Sequence, residues 1–69
     1  MPHIEIKMYP GRSRELKQAL AEKVCLACAE ALALPKSEVS VSIKDVAPEN
    51  WAAAVAHIAD ADMFIGTKD

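Results

Sequence analysis

Apolar and polar residues alternate from the first positions of the chain, with Ile4, Ile6 and Met8 separated by His3, Glu5 and Lys7. A period of two over six residues predicts a strand from His3 to Met8 with one apolar face. Pro2 shares the parity of the apolar set. Tyr9-Pro10-Gly11 ends the strand, and Ser13 is the expected N-cap of a helix whose first turn carries Glu15, favourable beside the helix dipole. Arg12 therefore falls in the turn between strand and helix.

From Arg14 to about Ala33 the spacing becomes helical: Leu16, Ala19, Leu20, Val24, Ala27, Ala31 and Leu32 recur on one side, and Pro35 prevents continuation. Val39, Val41 and Ile43 then alternate with Ser40, Ser42 and Lys44, a second strand after a short connection. Strand, long helix, strand is a βαβ unit, so the two strands should run parallel with a right-handed crossover. Pro48 suits the first turn of a shorter second helix, in which Trp51, Val55 and Ile58 share a face and Ala52, Ala53 and Ala54 supply propensity. Asp60-Ala61-Asp62 ends it. Met63-Phe64-Ile65 reads as a very short C-terminal strand seeking a sheet edge on this chain or a neighbour.

Length turns this pattern into a statement about assembly. Sixty-nine residues make a single domain, 1–69, and a domain of this size buries only about 60% of the surface its unfolded chain exposes. Disulfides, metals and oligomerisation are the usual supplements to so thin a core. With two cysteines and two isolated histidines, a partner subunit is the expected one. Cys25 and Cys28 sit mid-helix without a second ligand pair and read as small core residues. His3 and His57 have no partner at metal-ligand or triad spacing. A net charge of −2 with scattered Lys and Arg offers no footprint for nucleic acid. No run is long or apolar enough to span a bilayer, and the charged first strand is no signal peptide, so a cytoplasmic location is expected.

Candidate chemistry begins at Pro2. Once Met1 is removed, its nitrogen is a free secondary amine, a base that no internal proline offers. Pro2 opening a βαβ unit, Gly11-Arg12-Ser13 at the strand-to-helix turn, a proline after the long helix and an aromatic residue past the second strand together resemble the 4-oxalocrotonate tautomerase family. The likeness covers nearly the whole chain. Met1-Pro2-His3-Ile4 and Pro48-Glu49-Asn50-Trp51 are most similar to its phenylpyruvate-type branch.

The resemblance implies an α+β subunit assembled as a homo-oligomer, dimer or hexamer, with sites at subunit boundaries. It implies proton shuttling on small 2-keto acids and their enols without cofactor or metal. Pro2 carries over as general base and acid, Arg12 as the cation that grips a carboxylate, and Trp51 as an aromatic wall. Partial burial and a nearby guanidinium each disfavour a protonated amine, which brings a proline nitrogen towards the working pH that proton abstraction needs. The family's second arginine aligns with Ser40, and serine supplies no cationic fork. A monocarboxylate such as an arylpyruvate enol is therefore expected over a dicarboxylated dienol, with a backbone donor, a water or Arg14 serving the keto oxygen. Two alternatives stay open: a relative turned to hydration or haloacrylate dehalogenation, and a silent oligomeric binding module.

Overall fold

A computed structural model describes residues 1–66 of the chain. Its order is β1 (His3–Met8), α1 (Arg14–Leu32), β2 (Ser40–Asp45) and α2 (Trp51–Val55), with single 3-10 turns at Lys36–Glu38, Pro48–Asn50 and Asp60–Asp62. The two strands pair in parallel, with His3 opposite Ser40, Ile4 opposite Val41 and Ile6 opposite Ile43. Their apolar side chains thus share one face and their polar ones the other. The helix packs over β2 on the apolar face, where Ala21 and Lys17 line a groove with Val41 and Ile43.

Local chemistry sets the helix ends. Ser13 accepts the Leu16 N–H at 3.1 Å, capping α1. At the other end Ala33 takes a left-handed conformation, φ 56°, and Leu34 N–H reaches back to the Ala29 carbonyl at 2.9 Å. This six-to-one bond closes the helix, with Pro35 just beyond it. Gly11 lies at φ 124° in the turn after β1, a region that residues with a Cβ rarely adopt.

Two expectations from the sequence need correction. The second helix is one short turn and a half that ends at Val55, and Ile58 lies beyond it on an exposed bend. Met63–Ile65 forms no strand: Phe64 and Ile65 are 92% and 89% exposed. Among the described residues the segment pairs with neither β1 nor β2. The strand-helix-strand order, the parallel pairing and the short second helix stand as expected.

The core is as thin as the length implies. Among the described residues only Ala29 and Val46 are buried, while Leu16, Leu26 and Leu32 on α1 remain exposed. The chain exposes 5630 Å², against roughly 4,200 Å² for a compact monomer of its mass. Its radius of gyration is 13.4 Å, where a chain of this length typically packs to about 11 Å. Each strand also keeps one unpaired edge in the two-stranded sheet. No helix among the described residues is long and apolar enough to cross a membrane.

Candidate active site

Pro2 stands half-buried at the start of β1, its carbonyl accepting the Ser40 N–H at 3.2 Å. Met1 before it is 92% exposed. At the far end of the same strand Arg12 folds back, donating from Nη1 to the Tyr9 carbonyl at 3.3 Å. The Tyr9 ring meets Trp51 edge-on, centroids 5.1 Å apart and planes at 81°. Tyr9 thus touches Arg12 through its carbonyl and Trp51 through its ring.

The structure sets Arg12 and Trp51 each against Tyr9, just past the end of β1 opposite Pro2. Strand β1 runs straight between Pro2 and Tyr9, and at about 3.3 Å per residue it holds them roughly 20 Å apart. One small molecule cannot touch both ends. The groove between α1 and β2, about 250 Å³ and lined by Arg14, Lys17, Gln18, Ala21, Val41 and Ile43, contains none of the three. Within the single chain the three candidate residues do not meet at one point.

Helix α2, which opens with Trp51, is anchored to the sheet by Lys7, whose Nζ donates to the Ala54 carbonyl at 2.7 Å. That carbonyl lies in the last turn of α2, where a cation is favourable. Lys7 also stands 3.8 Å from Glu5 on its own strand. On the other face Lys17 pairs with Asp45 at 3.0 Å and ties α1 to the end of β2. Among the described residues no group of three or more His, Cys, Asp or Glu side chains is arranged to hold a metal.

A family model described as "Tautomerase enzyme" matches residues 2–61, nearly the whole chain. The chain belongs to the tautomerase family. The "2-hydroxymuconate tautomerase" of Comamonas testosteroni is 48% identical over 54 residues, 78% of this chain and 86% of that protein. A "Probable tautomerase" of Xylella fastidiosa is 43% identical over 51 residues, and the 74% of this chain that aligns spans 62% of that protein's length. "Tautomerase PptA" of Cronobacter sakazakii is 39% identical over 56 residues, covering 80% of this chain and 74% of that protein. The protein is thus placed among the isomerases that act on small molecules.

Three residues of this tautomerase escape a reading from sequence. Tyr9 reads as part of a strand-breaking triplet, although its carbonyl holds Arg12 and its ring meets Trp51. Lys7 is one more polar residue of an alternating strand, and its carbonyl partner lies 47 positions away. His3, without a partner at any short spacing, is bonded to two serines on the neighbouring strand. Strand parity assigns His3 and both serines to polar positions, and the parallel register then makes them neighbours.

Proposed function

We propose that this tautomerase interconverts enol and keto forms of 2-keto acids such as phenylpyruvate, with Pro2 as general acid and base after loss of Met1. The observation that carries the reading is the position of Pro2: half-buried, opening the sheet, behind a fully accessible methionine. Half-burial disfavours the charged amine and leaves a base suited to removing a proton beside a carbonyl. The nitrogen takes the proton from the enol oxygen or the carbon and returns it to the other, so no cofactor or metal is called for.

Arg12 grips the carboxylate with its planar donors and Trp51 walls off water, and a second copy delivers both to Pro2. Antiparallel pairing of the free β1 edges across a twofold axis would lay the Pro2 end of one copy against the Arg12 end of the other, creating two equal sites. It would also cover part of the surplus surface that the single chain exposes. The same arrangement sets a second cation beside the amine and depresses its basicity further.

Ser40 sets the substrate preference. It offers a neutral hydroxyl where the resemblance expects a second arginine, which favours a single carboxylate over the two of a dienol such as 2-hydroxymuconate. The Comamonas relative's name supports the competing preference. An ultraviolet assay of phenylpyruvate enol ketonisation on wild type, Pro2→Ala and Arg12→Ala tests the reading, with 2-hydroxymuconate run in parallel. Pro2→Ala should lose at least a hundredfold in kcat, and Arg12→Ala should raise KM. An unchanged rate in Pro2→Ala defeats the role of the proline, and a tenfold advantage for the dienol defeats the substrate preference.

A further inference from the structure

The imidazole of His3 is held from both sides by the adjacent strand, Nδ1 2.7 Å from Ser40 Oγ and Nε2 3.0 Å from Ser42 Oγ. The register sets His3 directly across from Ser40, and Ser42 is the next residue on that face of β2. A hydroxyl both donates and accepts, so the bracket survives either tautomer and the imidazolium. All three residues are exposed, and hydrogen bonds on an open sheet face add little net stability. Packing gives no reason for so complete a set of partners.

Its place in the chain does. His3 is bonded covalently to Pro2, whose one hydrogen bond to the rest of the chain among the described residues is its carbonyl with Ser40 N–H. Chain ends fray unless they are tied down. After Met1 is lost, the amine swings on the torsions of Pro2 and His3 alone. The Ser40 backbone bond fixes the peptide plane between them, and the two hydroxyls fix the ring that follows. The other ionisable side chains on this face are Glu5, Lys7 and Lys44, and α2, packed against it through Lys7, adds none from Trp51 to Val55.

We infer that His3, bracketed by Ser40 and Ser42, is the positioning residue of the Pro2 amine, holding the terminal ring in one orientation for proton transfer. The inference deepens the role of Pro2 proposed above and rests on it. Misplacing a reacting group by a fraction of its bond reach costs rate with little effect on binding. Ser40 thus has a task of its own, in place of the cation that the resemblance expects there.

The test compares natively processed wild type, His3→Ala, His3→Gln, Ser40→Ala/Ser42→Ala and the triple variant. Readouts are kcat and KM for phenylpyruvate enol, nitrogen-15 titration of the Pro2 amine, and thermal unfolding. His3→Ala should lower kcat on the order of tenfold with KM within about twofold, displace the amine titration and barely change the melting temperature. A glutamine amide carries a donor and an acceptor at nearly the separation of the two ring nitrogens, so His3→Gln should recover most of the rate. The serine double variant should match His3→Ala, and the triple variant should lose nothing more. An unaltered kcat and amine titration in His3→Ala overturns the inference, as does a loss that His3→Gln fails to recover. Should Pro2→Ala ketonise like wild type, the proline reading fails, while the amine titrations of wild type and His3→Ala still decide whether His3 positions the ring.

Discussion

The edge of one ring in the Tyr9 and Trp51 pair points at the face of the other, 5.1 Å between centroids, and this contact joins the end of β1 to a helix of five residues. A helix that short has no stability of its own. An edge-to-face pair contributes about 0.5–1.5 kcal/mol beyond its buried area. Tyr9→Ala should therefore release Trp51 towards solvent, while Tyr9→Phe keeps the ring and the contact. Trp51 is the only tryptophan, so its emission reports the change directly: a red shift in Tyr9→Ala and none in Tyr9→Phe. Equal spectra for the two variants would show that the stack does not hold the indole.

Lys7 gives the same helix its second anchor, and the two can be separated. Its ammonium meets the Ala54 carbonyl at 2.7 Å with the side chain four-fifths covered, so Lys7→Met removes a charge-assisted bond while keeping most of the apolar stem. The expected cost is about 1–2 kcal/mol. The loss should be local. Amide exchange should quicken in residues 51–55 and stay unchanged through α1, whereas uniform acceleration would mean that Lys7 supports the whole fold.

Ala33 is the one residue other than glycine, among those described, with a positive φ. A Cβ in the left-handed region costs about 1–2 kcal/mol, and glycine returns part of that relief through its greater freedom in the unfolded chain. Ala33→Gly should stabilise the protein by roughly 0.5–1 kcal/mol, raising the melting temperature by a few degrees with kcat unchanged. A lowered melting temperature would mean that the Ala33 methyl packs against something worth more than the strain.

How much of this was legible in the chain depends on the range of each interaction. Strand β1 shows itself because alternation is a local property, and α1 because Ser13 and Pro35 punctuate it from adjacent positions. Ala33 does not, since its left-handed turn is imposed by the Ala29 carbonyl and the proline ahead rather than by any glycine. Met63–Phe64–Ile65 has strand-forming residues but pairs with neither open edge of the sheet, so propensity misleads there. The bond between His3 and Ser40 joins residues 37 apart and exists only in this parallel register. Pro2 and Arg12 are near neighbours in sequence, yet they lie beyond opposite ends of strand β1.

That separation makes the subunit boundary testable without any structure of the assembly. If Pro2 of one copy works with Arg12 of another, Pro2→Ala and Arg12→Ala chains are each impaired alone and complementary together. Unfolded, mixed in equal amounts and refolded as twofold dimers, half the molecules are hybrids, and each hybrid carries one site with both residues and one with neither. The mixture should recover about a quarter of wild-type activity, well above the average of the two parents. A site confined to one chain predicts that parental average and nothing more. Recovery should also appear only after refolding or slow subunit exchange, because intact homodimers mixed briefly contain no hybrid site.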